Sequence, residues 1–306
     1  GTIYTGAKIQ TGGSKGGENA MAHIHAYPDD LDGVVAYVAP VTTDLPDTRW
    51  TGYLDQIGIA SCTQMLRDLA REMLVRRNAL EPLVAHSQSY SFSKATLDHA
   101  YETAVVELVF AFWMTRGEAD CPAVPATTAT DSALAAFLDA TNPPIGYSDQ
   151  LYAVLIQQFT YQMQAELGYP VWEHANLDDL MRFSYEDWSV YMPEGTAPTF
   201  TPTQPRALTS YLASNATHVM HIGGEWDPWG GGYPTIAGTD AFDYRVSHGS
   251  HWSSGIYSLA PADHDAALAT LKRWARVAMT KSAIRRAPVP QLDPDVATLP
   301  ALGSHL

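Results

Sequence analysis

The sequence predicts an α/β protein in which a mostly parallel sheet is interrupted by a large helical insertion. Three observations favour this fold class. A strand, a helix and a second strand follow one another within residues 7–40, which is typical of a βαβ unit. Residues 41–215 contain no run typical of a buried strand and are dominated by helical patterns. Two further strand patterns then follow, and an amphipathic helix comes after the second of them.

The first βαβ unit has the clearest local pattern in the chain. AKIQTGGS at 7–14 predicts a short strand that runs into a glycine-rich turn, and apolar residues at helical spacing predict a helix over 15–27. GVVAYVAP at 33–40 is a continuous apolar run rich in β-branched residues. Such a run is typical of a strand that is buried on both faces of a parallel sheet.

The rest of the chain divides into the insertion and a returning sheet. Helical patterns occur at 55–85, 95–115, 131–140, 148–167 and 176–186, followed by a Pro/Thr-rich linker at 194–205. Strands are predicted over 218–223 and 242–247, and a helix over 262–281. We therefore expect an α/β core formed by residues 1–40 and 206–285, a helical cap of residues 41–205 and an extended C-terminal tail of residues 286–306.

The composition excludes several classes of protein. Hydrophobic residues make up 46% of the 306 residues, which is too many for a disordered chain. The 18 Lys and Arg residues are outnumbered by 33 Asp and Glu residues, so the formal net charge is −15. This charge argues against nucleic acid or an anionic membrane as the partner. The longest apolar run, at 104–114, contains Glu107 and is shorter than the roughly 20 residues of a membrane-spanning helix.

The glycine-rich turn carries the pattern of a serine nucleophile. GGSKG at 12–16 fits G-x-S-x-G, in which small neighbours let a strand turn sharply into a helix and expose the serine hydroxyl. Ser14 is therefore the candidate nucleophile. The amide of Lys15 lies at the start of the following helix, where it can stabilise an oxyanion.

A serine nucleophile needs a base and an acid that orients the base, and both are predicted at later strand ends. Asp227 follows the strand at 218–223, and His251 follows the next strand. The order Ser, Asp, His is the one that accompanies a nucleophile of this type. His248 remains an alternative base, and Glu225 an alternative acid.

The sequence offers little support for a metal site. His248 and His251 are three residues apart, but no acidic or thiol ligand stands beside them at the spacing of a metal site. We therefore expect neither a metal nor another cofactor.

Glu107 is the one polar residue between Ala104 and Trp113. A buried carboxylate is costly unless it is paired. Two interpretations stay open: an internal pair with an arginine, or a contact with the ammonium group of a substrate.

Several motifs together resemble one known family. TGGSKGGENAMAHIHAYPDDLDGVVAYVAP at 11–40 resembles the nucleophile region of the prolyl tri/tetrapeptidyl aminopeptidase family of secreted bacterial serine peptidases. The similarity continues through LDQIGIASC at 54–62, AVVELVFAFWM at 104–114, GEWDPW at 224–229 and KRWA at 272–275.

This resemblance implies an α/β-hydrolase with a helical cap, a Ser14–Asp227–His251 triad and release of short peptides from a free N-terminus. It also favours a disulfide between Cys62 and Cys121 and a secreted or periplasmic location in a bacterium. On the chain-entropy description, closing a loop of this length stabilises a fold by about 4 kcal/mol.

The sequence departs from the family at one position beside the nucleophile. The family usually has Met after SKGG, whereas this chain has Glu18, and a carboxylate there is expected to affect the choice of substrate. We expect Glu18, Glu107 and Trp229, the last residue of GEWDPW, to contact substrate.

The start of the chain is the second departure. Only 13 residues precede Ser14, and the first is Gly1 rather than Met. An α/β-hydrolase normally has several strands before its nucleophile, and one oxyanion donor comes from that region. We expect a nicked enzyme whose N-terminal fragment is retained as a separate chain and covers the open sheet edge. A shortened or permuted sheet and an inactive truncated piece are the alternatives.

Three functions remain to be compared. The first is a serine exopeptidase that acts on peptides with a free amine. The second is an esterase, polyester hydrolase or amidase with the same triad, which the 16 Tyr and 8 Trp residues make worth testing. The third is a non-catalytic binding protein, which the complete triad pattern disfavours.

Overall fold

A computed structural model describes residues 5–84, 90–151, 156–171, 174–183 and 188–277. The strands are β1 (Ile9–Gly13), β2 (Gly33–Tyr37), β3 (Ala216–Thr217), β4 (Val219–Gly224), β5 (Gly238–Thr239) and β6 (Phe242–Val246). The α-helices are α1 (Lys15–Ala26), α2 (Ala60–Val75), α3 (Arg77–Val84), α4 (Leu97–Val106), α5 (Leu108–Thr115), α6 (Asp131–Thr141), α7 (Asp149–Leu151), α8 (Gln157–Gln162), α9 (Thr203–Ser214) and α10 (Pro261–Trp274). A π-helical turn covers Met163–Leu167, and 3₁₀ turns cover Thr48–Trp50, Tyr53–Asp55, Glu118–Ala123, Pro144–Tyr147, Trp188–Tyr191, Pro228–Gly232 and Ile256–Ser258.

The main sheet has four strands in the order β1-β2-β4-β6, and every neighbouring pair is parallel. Val34 and Ala36 of β2 face one apolar core, while Val35 faces another. The prediction of a mostly parallel α/β sheet with a strand buried on both faces is therefore confirmed. Because the strands are parallel, their carboxyl ends meet at one edge, where the loops after β1, β4 and β6 come together.

Helices cover both faces of this sheet. α1 and α9 pack against each other on one face, with Met21 and Leu208 in their shared core. α10 packs on the other face, where the indole of Trp274 lies against the backbone of Gly33. A Cβ built on Gly33 would stand 2.6 Å from that ring, so this crossing requires glycine.

Between β2 and β3 the described residues form helices and turns and contain no strand element. They enclose a core of their own, which includes Trp50, Leu66, Phe110 and Trp113. Cys62 and Cys121 form a disulfide within this region, as the resemblance implied. The division into core and cap at 40 and 205 stays a prediction, and the predicted tail at 286–306 lies outside the described residues.

Three helical predictions differ from the structure in detail. The helix expected over 55–85 is divided at Arg76, and the one expected over 95–115 is divided at Glu107. Residues 176–180 form turns and 181–183 are not helical, while 184–186 of this predicted helix lie outside the described residues. The predicted linker at 194–205 ends inside α9. Among the helices of the described residues, none has the length and hydropathy to cross a bilayer.

Candidate active site

Ser14 lies on a strained turn between β1 and α1. Its backbone has φ 52° and ψ −127°, a conformation that is costly for a residue with a side chain. Its amide donates to the carbonyl of Tyr37 at 2.8 Å, which fixes the turn to the end of β2. A Cβ on Gly12 would stand 2.3 Å from the backbone of Gly16, so the turn closes this tightly only with glycine at position 12.

The first turn of α1 follows Ser14 directly. The amides of Gly17 and Glu18 donate to the carbonyl of Ser14, at 2.9 and 3.1 Å. The amide of Lys15 precedes them in the same turn, where backbone N–H groups have no acceptor within the helix. The start of α1 thus provides a positive dipole end and a donor beside the serine hydroxyl.

Asp227 and His251 form a buried pair on the loops after β4 and β6. Asp227 is fully buried, and its Oδ2 lies 2.7 Å from Nδ1 of His251. Its Oδ1 accepts a hydrogen bond from the amide of Trp229 at 2.9 Å. The hydroxyl of Tyr233 also donates to Oδ2. Three donors therefore surround a carboxylate that has no contact with water.

The two alternatives from the sequence lie elsewhere. The amide of His248 donates to Oε2 of Glu225 at 3.0 Å, and the His248 ring stacks on Trp226. Both residues are exposed and neither lines the cavity beside Ser14. The geometry therefore favours Asp227 and His251 over Glu225 and His248.

A cavity of about 550 Å³ lies at the carboxyl ends of β1 and β2. Ser14 and His251 both line it, together with Lys15, Glu18 and Trp229. The remaining wall is mainly apolar, formed by Tyr37, Val38, Pro40, Ile156, Phe159, Tyr169 and Trp252. This volume is in the range of cavities that bind small organic ligands, and the mixture of an apolar wall and few polar groups is typical of them.

Three buried polar atoms in this wall have no hydrogen-bond partner among the described residues. They are Nε2 of His251, Nε1 of Trp229 and Oε1 of Glu18. Buried polar atoms are nearly always satisfied in folded proteins, so an unsatisfied group needs an explanation. All three residues line the same cavity.

Glu18 is 4% exposed, and its Oε2 lies 3.1 Å from Nζ of Lys15. Burial raises the pKa of this carboxyl above its ordinary value of 4.5, although the Lys15 ammonium opposes the shift. Lys15 also donates to Oδ1 of Asn19 at 2.5 Å, so its ammonium is shared.

Glu107 is fully buried in the helical region and accepts a hydrogen bond from the hydroxyl of Tyr147 at 2.7 Å. It is not among the described residues that line the cavity. Its charge, added to burial, raises the pKa of Tyr169, whose ring does line the cavity. A contact between Glu107 and a substrate amine stays a prediction.

The sequence did not predict the tyrosine that binds the acid or the aromatic residues that the helical region contributes to the cavity. Tyr233 follows Asp227 by six residues, and no pattern marks it as a partner of the acid. Phe159 and Tyr169 come from the helical region, where they resemble ordinary core residues. Within the described residues, no group of three or more His, Cys, Asp or Glu side chains is placed to hold a metal ion.

The fold and the cavity define the class of protein. A strained serine at a strand-to-helix turn and a buried Asp–His pair at later strand ends are features of α/β-hydrolases. A family model described as PS-10 peptidase S37 matches residues 1–298, so the chain belongs to this peptidase family.

A curated relative agrees with the family. The chain is 31% identical over 292 residues to the prolyl tri/tetrapeptidyl aminopeptidase of Streptomyces mobaraensis. The alignment covers 90% of this chain and 60% of that protein, so the chain spans about 60% of the relative's length. The family predicted from the motifs is therefore confirmed.

Proposed function

We propose that the protein is a serine peptidase that releases short peptides from a free N-terminus through an acyl-enzyme on Ser14. One observation carries the proposal: Nδ1 of His251 is held by Asp227 at 2.7 Å, and His251 lines the same cavity as Ser14. A serine nucleophile requires a hydrogen bond to such an oriented base. Nε2 of His251 has no partner among the described residues, so its bond to Oγ of Ser14 has to form when substrate binds.

The proposed reaction follows from these positions. Oγ of Ser14 attacks the scissile carbonyl carbon while Nε2 of His251 takes the hydroxyl proton. The amide of Lys15 donates to the oxyanion that forms. His251 then returns the proton to the leaving amine as the carbon–nitrogen bond breaks. Water repeats the sequence on the acyl-enzyme, which frees Ser14, and Asp227 stabilises the imidazolium in both halves.

The substrate assignment rests on the cavity and on the relative. The name of the Streptomyces mobaraensis protein describes release of tri- and tetrapeptides, and we extend this activity to the present chain. The apolar wall accommodates side chains of a short peptide. Nε1 of Trp229, which is buried without a partner, is the donor that we assign to a substrate carbonyl.

We also propose that a separate N-terminal fragment completes the sheet. β1 is hydrogen-bonded to β2 on one side and lies at the edge of the described sheet, next to Ser14. An exposed strand edge favours pairing with another segment. Such a segment would also bring the second oxyanion donor. The disulfide supports export, because such bonds persist in oxidising compartments.

The presence of a separate N-terminal fragment can be tested on the protein as it is isolated. Denaturing electrophoresis and intact-mass measurement of an active preparation should reveal a second, smaller polypeptide. A single polypeptide in a fully active preparation contradicts this part of the proposal and leaves the peptidase assignment unaffected.

The aromatic wall keeps one alternative worth testing, an esterase that uses the same three residues. A panel of peptide p-nitroanilides with free amines is compared with p-nitrophenyl esters, using the wild type and Ser14→Ala. We expect the peptides to be hydrolysed and Ser14→Ala to remove nearly all of this activity, by at least about 10⁴-fold in kcat. Rapid turnover of esters alone would favour the esterase, and full activity of Ser14→Ala would exclude Ser14 as the nucleophile.

A further inference from the structure

Among the described residues that line the cavity, one carboxylate, that of Glu18, has no part in the proposed triad. We propose that Glu18 is the anchor for a positively charged nitrogen of the substrate, either the α-ammonium group or a basic side chain. This inference rests on the proposed peptidase function, because it assigns a contact in the same cavity. The supporting observations are the burial of Glu18, its incomplete hydrogen bonding and the charges around it.

The position of Glu18 is set by the nucleophile turn itself. It is four residues after Ser14, in the first turn of α1, and its amide is fixed to the carbonyl of Ser14 at 3.1 Å. The neighbouring Gly17 packs so closely that a Cβ there would stand 2.7 Å from Ala39. The Glu18 backbone is thus held firmly, and Glu18 lines the cavity with a side chain that is only 6% exposed.

The hydrogen bonding of Glu18 is incomplete. Lys15 approaches Oε2, while Oε1 has no partner. A carboxylate in a buried position accepts several hydrogen bonds when it is satisfied, and leaving one oxygen bare is costly. An ammonium or guanidinium group would supply the missing donors.

The local charge balance also favours a cation. Lys15 and Glu18 are the charged side chains among the described lining residues, apart from His251. Glu166 lies close enough for its charge to act on Glu18. One ammonium and two carboxylates leave a net charge of about −1 beside an apolar cavity, where electrostatic attraction is poorly screened. The rest of the wall offers a cation no other described carboxylate.

The test compares substrates that differ by one charge. The first pair is Ala-Ala-Ala-p-nitroanilide with a free or an acetylated amino terminus. The second pair keeps a free amino terminus and carries Lys or norleucine next to the scissile bond. We expect the wild type to prefer the more cationic member of one pair by about 10- to 100-fold in kcat/KM, the range of a hydrogen bond to a charged group. The pair that shows the preference identifies the source of the cation.

Glu18→Gln keeps the shape of the side chain and removes its charge. We expect it to reduce the preference to within about 3-fold of unity, while the member of that pair without the extra charge loses little. Glu166→Gln is the comparison variant, because it removes the second nearby charge without removing a lining atom, and it should reduce the preference by less than Glu18→Gln does. The ratio of two substrates on one preparation does not depend on how much of the variant is folded.

Two results overturn the inference: a wild type that prefers neither of the more cationic members, or a Glu18→Gln variant that keeps the full preference. Calorimetric binding of the uncleaved peptides to Ser14→Ala separates this failure from failure of the function. If no variant hydrolyses peptides but Ser14→Ala binds the more cationic peptide of a pair more tightly and Ser14→Ala/Glu18→Gln does not, the anchor stands and the peptidase proposal fails. If hydrolysis depends on Ser14 but neither binding nor rate depends on Glu18, the anchor alone fails.

Discussion

Two buried carboxylates, one behind the His251 wall of the cavity and one in the wall beside Ser14, differ in how fully they are hydrogen-bonded. On the acid–base side, the loops after β4 and β6 give fully buried Asp227 three hydrogen-bond donors. On the nucleophile side, α1 leaves 4%-exposed Glu18 with Lys15 at one oxygen and nothing at the other. Asp227 and Glu18 are therefore almost equally buried, but Asp227 accepts three hydrogen bonds whereas one oxygen of Glu18 accepts none from the described residues.

The difference indicates what each carboxylate is prepared for. Asp227 has its partners within the chain, so its geometry is complete before substrate arrives, which is the requirement for orienting a base. Glu18 has an unsatisfied oxygen that a ligand can complete. Replacing each acid by its amide should therefore have opposite consequences for chemistry and for stability.

The largest effect is expected from Asp227→Asn. The amide cannot stabilise an imidazolium and favours the wrong tautomer of His251, so kcat should fall by about 10⁴-fold, with a small change in KM. Steady-state kinetics on a peptide p-nitroanilide measures this loss.

Asp243→Asn is the matched control. Asp243 also contacts a histidine, since its Oδ1 lies 2.9 Å from Nδ1 of buried His221. His221, unlike His251, is not among the described residues that line the cavity. We expect its kcat to stay within about threefold of the wild type. Equal losses in both variants would mean that the Asp227–His251 pair has no special role.

Tyr233→Phe should have the second largest effect. Burial and the adjacent charge of Asp227 raise the pKa of the Tyr233 phenol well above its ordinary value, so the phenol remains a donor. Removing a hydrogen bond to a charged group should lower kcat by about 10- to 100-fold. More negative charge would then remain on Asp227 to hold the imidazolium, so the acid limb of the kcat/KM profile should move to higher pH.

Tyr101→Phe is the control that distinguishes a role of Tyr233 in positioning Asp227 from the general loss of a buried hydroxyl. Tyr101 is also fully buried and donates to the carbonyl of Met73 at 2.8 Å, but it lies in the helical region. The Tyr101→Phe variant should be less stable than the wild type, but its kcat/KM profile against pH should be unchanged. An unchanged profile in Tyr233→Phe would reduce Tyr233 to a structural residue.

The nucleophile side was the more predictable from the sequence. The turn at Ser14 depends on local residues, because Gly12 and Gly17 are the ones that permit the close approach of strand and helix. Asp227 and His251 were predictable for a different reason, since parallel strands bring their carboxyl ends together. The hydrogen bond from Tyr233 was not predictable, because it depends on how a 3₁₀ turn of Pro228–Gly232 returns the chain.

Several features of the helical region could not be predicted from the sequence either. The division of two helices at Arg76 and Glu107 has no glycine or proline to signal it. The first turn of α9 falls inside the Pro/Thr-rich segment that predicts a linker, because proline is tolerated in the first turn of a helix. The contribution of Phe159 and Tyr169 to the cavity depends on tertiary packing that no local pattern records.

The smallest expected effect is the difference in unfolding free energy between Glu18→Gln and the wild type, and this difference should depend on pH. Burial raises the pKa of Glu18 in the folded protein above its ordinary value of 4.5. Wild type and variant should therefore be equally stable below that value, where both side chains are neutral. As pH rises, the unfolded wild type ionises first, so the wild type loses stability relative to the variant until the folded carboxyl also ionises. Urea unfolding between pH 4 and 8 measures this difference.

Asp149→Asn provides a control of opposite sign. Although burial opposes it, hydrogen bonds from Lys94, Ser93 and Ser91 lower the pKa of Asp149 to about 2. Its amide variant should be less stable than the wild type at neutral pH, and the difference should disappear as pH falls towards 2. If Glu18→Gln instead follows Asp149→Asn, Glu18 is a stabilising structural residue. If Glu18→Gln gains stability at neutral pH while it loses cation preference, the chain retains this carboxylate at a cost in stability for the sake of its ligand.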